Sequence, residues 1–253
     1  MKKPYKMSPL GDSSVLIQFG DRMDELSHRL VMEAVRWLDA GRFPGYIECV
    51  PAFASVAVHY SPIQVLRSLD GEERMRETVY ETVCYRVEKL LVHIDAVTES
   101  DSEMKNVRTV AIPVCYGGEY GPDLEEVAAI CGRSAAEVVR LHSDADYLVY
   151  MIGFAPGFPY LGGMPEEIAA PRRGTPRAVI PAGSVGIAGG QTGVYPLATP
   201  GGWQLIGRTP IKLFRPDADA PSFLQAGDRV RFFPITEEEF LSWKDNESVD
   251  GLR

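Results

Sequence analysis

Residues 151–210 constrain the fold of this chain more than any other stretch. They hold more than half of its 24 glycines and contain no Asp, Lys, His or Cys. Glycine permits φ > 0 and close backbone approach, whereas proline fixes φ and removes a donor. A segment that alternates the two cannot continue a helix; it makes stiff, sharply turned loops suited to a binding surface. Gly183, Gly186, Gly189, Gly190 and Gly193 recur every three or four residues around Val185, Ile187 and Val194. That spacing has two readings: exposed amides curved around an anion, or a tightly bent strand pair where side chains would clash. Neither G-x-x-x-x-G-K-[ST] nor G-x-G-x-x-G occurs, so neither standard nucleotide loop is present.

The conspicuous side chains of the segment are Phe154, Phe158, Tyr160, Tyr195 and Trp203, interleaved with Arg172, Arg173, Arg177 and Arg208. Aromatic walls with a few guanidinium forks suit a planar or carboxylated ligand, since Arg binds carboxylate or phosphate bidentately. Core packing plus surface charge is the competing reading. Gln191 and Thr192, directly after the glycine run, are the best polar pair for orienting a ligand. The segment's single serine, Ser184, has no evident base, and Glu166 and Glu167 are adjacent rather than placed as an acid and base pair. No catalytic residue is assigned, and the chain is expected to complete no catalytic cycle alone.

The runs GFAPGFPYLGG (Gly153 to Gly163), PRRGTPR (Pro171 to Arg177), IPAGSVGIAGGQTGVYP (Ile180 to Pro196) and TPGGWQLIGRTP (Thr199 to Pro210) resemble the signature of the KipI and allophanate hydrolase subunit 1 family. The resemblance implies an α+β N-terminal domain followed by a mainly-β, cyclophilin-like C-terminal barrel. It further implies a role as the B subunit of an ATP-dependent 5-oxoprolinase, working with A-type and C-type subunits to open 5-oxoproline to glutamate, with ATP used within the complex. Other members imply two alternatives: inhibition of a sensor histidine kinase, or a component of an allophanate hydrolase or urea carboxylase carboxyltransferase. On this resemblance Phe154, Phe158, Tyr160, Arg172, Arg177, Gln191, Thr192, Tyr195, Trp203 and Arg208 are expected to meet substrate or partner, over loops shaped by the five glycines above.

A formal charge of −9 argues against nucleic acid or an anionic membrane as a partner. Lys2 and Lys3 are not followed by an apolar stretch, and no run of about 18 apolar residues occurs, so a cytoplasmic location is expected. Cys49, Cys84, Cys115 and Cys131 are widely spaced with no His at ligand spacing, which predicts buried thiols and no metal site.

Ahead of the signature, the pattern predicts strands over 5–9, 15–19, 46–50 and 55–60. It predicts helices from Glu25 to Ala40, capped by Asp24 and stopped by Gly41, from Ser61-Pro62 to about Leu69, and from Glu72 to about His93 with Met75 on the apolar stripe. His28, His59 and His93 read as structural. The acidic, aperiodic stretch after residue 95 reads as a linker, giving domains over 1–95 and 107–253 joined by 96–106. Beyond it, strands are expected over 107–116, 146–152, 177–180, 203–206, 211–214 and 229–235. Short helices are expected over 123–130 and from Ser134, where Glu137 forms a capping box, to His142. A last helix is expected from Thr236 with Glu239 through Trp243.

Overall fold

In the structure, a computed structural model that describes residues 3–21, 24–92, 94 and 107–243, two separate folding units are present, residues 1–105 and 106–253. The expected linker over 96–106, and His93, lie outside the described residues. The first unit is built on two hairpins, β1 (Lys6–Pro9) with β2 (Ser14–Gln18), and β3 (Tyr46–Pro51) with β4 (Ser55–Tyr60). They join as one antiparallel sheet in the order β1-β2-β4-β3. Val15 and Ile17 of β2 oppose Val58 and Val56 of β4, so the two central strands bury one continuous apolar face. Helices α1 (Glu25–Ala40) and α3 (Val79–Leu90) pack on it. Helix α1 has the bounds its sequence predicts: the Asp24 carboxylate accepts from the Ser27 amide at 2.8 Å, and the Gly41 amide closes on the Trp37 carbonyl.

The predicted helix from Glu72 is not continuous. Glu73–Met75 form one 3-10 turn, Arg76 is extended, and α3 begins at Val79 behind a capping box of Thr78 and Glu81. Met75 is 84% exposed rather than on the apolar stripe. The break turns Glu73 inward, where its carboxylate takes both Nε and an Nη of Arg86 at 2.8 and 2.7 Å, and Arg86 also donates to the Pro44 carbonyl and to Ser68. A straight helix would leave that buried guanidinium without its partner. The short helix α2 (Pro62–Arg67) precedes this turn. His59 is half-buried and pairs across the sheet with the Ser14 hydroxyl at 2.7 Å.

The second unit is a closed seven-stranded barrel, formed by β5 (Thr109–Tyr116), β6 (Tyr147–Ile152), β7 (Pro159–Gly162), β9 (Ser184–Ala188), β10 (Gln191–Val194), β12 (Gln204–Arg208) and β13 (Arg229–Pro234). Around the barrel the order is β10-β7-β6-β13-β5-β12-β9, and β9 closes on β10. A two-stranded ribbon, β8 (Arg177–Ile180) with β11 (Thr199–Gly201), stands outside it. Helices α4 (Leu124–Cys131) and α5 (Ala135–Asp144) pack on the barrel, and α6 (Glu237–Ser242) ends the described chain. Ser134 with Glu137, and Thr236 with Glu239, form their predicted capping boxes. The glycine run from Gly186 to Gly193 lies in the strand pair β9 and β10 and the turn that joins them. The expected strand over 211–214 is absent: Phe214 makes one isolated bridge to Ser222, because the chain folds back on itself with Phe223 donating to Leu213 and Arg215 to Pro221. Cys115 is buried, whereas Cys49, Cys84 and Cys131 are half-buried, and all four are free thiols. None of the described helices is long and apolar enough to cross a membrane, and among the described residues no group of acids, His or Cys is placed to hold a metal.

His142 of α5 lies wholly inside the barrel unit, 0% exposed, and stacks on Phe232. Its Nε2 lies 2.9 Å from the Thr192 hydroxyl and its Nδ1 2.8 Å from the Tyr116 hydroxyl. The Thr192 hydroxyl donates to the Gly186 carbonyl, so a neutral ring carrying its proton on Nε2 satisfies all four groups. Burial pushes His142 down from 6.5 to about 3, and burial likewise pushes His28 down to about 4.

Two outcomes follow for stability. Arg86→Met strands the Glu73 carboxylate and is expected to cost about 3–5 kcal/mol in urea unfolding. A histidine whose folded pKa is depressed binds its proton preferentially in the unfolded chain. Stability from His28 and His142 is therefore complete above pH 6.5 and is lost as pH falls toward about 4 and about 3. Glu73, held at about 2 chiefly by Arg86, adds a further loss below its ordinary 4.5. Unfolding midpoints measured between pH 7 and 4 should fall steadily, and less so in His142→Gln.

Candidate functional site

A cleft of about 370 Å³ opens on the barrel unit, within the usual range of small-molecule pockets. It is lined by Phe154, Phe158, Tyr160, Arg172, Tyr195 and Trp203, and by the backbone-rich stretch of Pro176 and Pro200 to Gly202. Phe158, Tyr195 and Trp203 form its floor and belong to one buried cluster with Ile180, Ala188 and Leu205. Their rings meet edge to face, Phe158 against Tyr195 at 5.5 Å and against Trp203 at 5.7 Å. Phe154 and Arg172 are exposed at the rim, and Tyr160 is half-buried.

The glycines make room for this floor. Gly186 and Gly193 face each other across β9 and β10. A Cβ on Gly193 would stand 3.0 Å from the Phe158 ring and 3.1 Å from the Trp203 ring, and one on Gly186 would stand 3.1 Å from Trp203 Cβ. A Cβ on Gly201 would reach 2.6 Å from the Tyr195 hydroxyl. Gly183 and Gly189 have another reason: both sit at positive φ, and Gly189 with Gly190 turns β9 into β10. Burial pushes the Tyr195 phenol up, partly offset by the Trp203 backbone amide on its oxygen and by the nearby Arg172 charge.

The rest of the predicted set is placed elsewhere. Arg177 does not line the cleft: its guanidinium grips the Asp123 carboxylate bidentately at 2.8 and 2.7 Å, and Arg173 adds a third contact at 2.8 Å. The same carboxylate accepts the Leu205 amide at 2.7 Å, which accounts for its being buried without capping α4. Thr192 is buried against His142 rather than facing a ligand. Gln191 lies at the β9–β10 turn, outside the cleft lining. Arg208 donates to the Ala182 carbonyl at 2.8 Å and lies over the Phe240 ring. Of the four arginines, Arg172 is the one that lines the cleft. Sequence reasoning missed Asp123, whose only local signal was a helix start, and the lining role of Pro176, Pro200, Gly201 and Gly202.

Chemically the cleft is a platform with one cationic fork. The residues that line it include no His, Cys, Lys or carboxylate. Its polar lining side chains are the Arg172 guanidinium, the Tyr160 and Tyr195 phenols and the Trp203 indole.

Residues 5–224 match the family described as carboxyltransferase domain, subdomain C and D. The chain belongs to this family. Over 241 residues it is 50% identical to the 5-oxoprolinase B subunit of Bacillus subtilis (strain 168), covering 95% of this chain and 97% of that protein. The corresponding 5-oxoprolinase B subunit of Escherichia coli O157:H7 is 42% identical over 229 residues, or 90% and 95% of the two chains. Among solved structures, the crystal structure of TTHA0988 matches at 33% identity with a TM-score of 0.68 over 88% of this chain. The match spans 40% of the length of that longer chain.

Removing the anchor of this region tests its role. Asp123→Ala leaves the partly buried Arg177 guanidinium without its carboxylate and Arg173 with only its 3.5 Å contact to Glu126, and is expected to cost about 3–5 kcal/mol. Arg208→Ala, which loses one carbonyl hydrogen bond, should cost about 0.5–1.5 kcal/mol. Urea unfolding of the purified variants measures both, and equal losses would mean that Asp123 anchors nothing.

Proposed function

We propose that this chain is the B subunit of an ATP-dependent 5-oxoprolinase, a non-autonomous part of an enzyme that opens 5-oxoproline to glutamate with A-type and C-type partner subunits. The observation that carries the reading is half-identity to a 5-oxoprolinase B subunit over almost the full length of both chains. The cleft agrees with it. 5-Oxoproline is a flat lactam bearing one carboxylate, and the site offers a ring floor at Trp203, Tyr195 and Phe158 beneath a guanidinium at Arg172. Bound in that way, the lactam would lie against aromatic faces with its carboxylate on Arg172, shielded from bulk water.

Opening a lactam breaks its C–N bond, and amide resonance makes both the carbon unreactive and the nitrogen a poor leaving group. Transfer of the ATP γ-phosphoryl group to the carbonyl oxygen, with ADP leaving, activates the carbon to attack by water. The C–N bond then breaks as the nitrogen takes a proton, and a second water releases the phosphate, which is why the overall reaction consumes the nucleotide. The lining residues carry neither a base for the water nor a group to receive the phosphate. Those parts fall to the partner chains, and this chain positions the ring. The family description favours a second reading, transfer of a carboxyl group from a biotin carrier; insensitivity of the activity to avidin separates the two.

Two expected results test the reading. The purified chain alone should release no glutamate from 5-oxoproline and ATP, whereas the complex with A-type and C-type subunits should. In that complex Arg172→Ala should raise KM for 5-oxoproline by about 10–100-fold, the worth of a charge-assisted hydrogen bond, with Arg172→Lys in between. Full activity of Arg172→Ala would remove Arg172 from the site.

A further inference from the structure

Phe154 stands apart from every other described residue. It is the one non-glycine among them with positive φ, at 69°. The Ala155 amide donates across it to the Gly153 carbonyl at 2.8 Å, which makes residues 153–155 a γ-turn of the rare, positive-φ form. The turn is braced on both sides. The Gly153 amide donates to the Phe158 carbonyl, the Phe158 amide donates to the Ala155 carbonyl, and Pro156 with Gly157 at φ 79° forms the turn between them. A bulky residue held in this region stores strain, and such strain persists only where the surroundings enforce it. The packing of Phe154 offers little to repay it: the residue is 65% exposed, and its ring approaches Phe158 edge-on at 5.4 Å. Glycine would adopt this backbone without strain, so what the turn secures is the position of the ring.

That position is the mouth of the cleft, above a floor whose Trp203 is only 7% exposed. One five-membered lactam leaves much of 370 Å³ unfilled. A platform with a fork at one side needs a cover at the other to hold a ligand so small. We propose that Phe154 is the specificity-determining cover of this cleft: the strained turn holds its ring at the mouth, where it closes on a small cyclic carboxylate lying between Arg172 and the Trp203 floor. The identity of that carboxylate rests on the 5-oxoprolinase reading; the cover itself rests on the turn. Loss of the ring leaves the floor and Arg172 in place, so it weakens retention of the ligand rather than the chemical step.

The test uses Phe154→Gly, Phe154→Ala and Phe154→Leu. Neither Gly nor Ala has a ring, so their difference in thermal midpoint reports the backbone alone. Phe154→Gly should unfold at or above the wild-type temperature and about 2–4 °C above Phe154→Ala. In the complex with A-type and C-type subunits, both should raise KM for 5-oxoproline on the order of tenfold with kcat little changed, and Phe154→Leu should recover much of the loss. In chains carrying Trp37→Phe and Trp243→Phe, acrylamide should quench Trp203 fluorescence at least twofold more strongly in Phe154→Gly than with Phe154 intact. Equal midpoints for Gly and Ala, or unchanged KM with unchanged quenching, overturn the proposal. If the wild-type complex does not turn over 5-oxoproline, the functional reading falls, and the midpoints and the quenching still decide the cover.

Discussion

The carboxylate of Asp123 is the point from which the cleft is built. It is buried, and it accepts four hydrogen bonds from three separate parts of the chain: two from Arg177 at the start of β8, one from Arg173 in the loop before it, and one from the Leu205 amide in β12. A buried charge is tolerated only when it is paired this fully. The pairing holds the loop around Arg172 against the barrel, helped by the Arg173 amide on the Gly202 carbonyl. Arg172, next to Arg173 in that loop, lines the cleft.

The opposite wall depends on missing atoms. Gly186, Gly193 and Gly201 leave spaces that the rings of Phe158, Trp203 and Tyr195 fill, so a glycine-rich strand pair serves as a seat for aromatics. Behind it, His142 bonds Thr192 in β10 and Tyr116 in β5, tying two barrel strands through one neutral imidazole. The cleft is therefore backed by a polar core link on one side and an ion-pair anchor on the other.

Features set by hydrogen bonds within a few residues were legible in the sequence. Helix α1, with Asp24 and Gly41 at its ends, and the boxes at Ser134 with Glu137 and Thr236 with Glu239 all close within one turn of chain. The helix expected from Glu72 rests on an apolar stripe alone; α3 instead starts behind the box of Thr78 and Glu81, and Arg86, thirteen residues on from Glu73, draws that carboxylate inward. Inside the glycine-rich segment β8 was expected over the residues it occupies, whereas β7 carried too little alternation to be seen.

Composition alone determined that residues 151–210 form turned, rigid backbone around aromatics and arginines, and the ordered runs within them determined the family. Only the tertiary structure decided which of those side chains share a cleft. Arg172 and Arg177 are alike in type and close in sequence, yet one faces the opening and the other is spent on a carboxylate 54 positions away. Thr192 likewise turned inward to a histidine 50 positions distant. Charge partners and burial at that separation depend on how strands close into a barrel, and no local pattern encodes them.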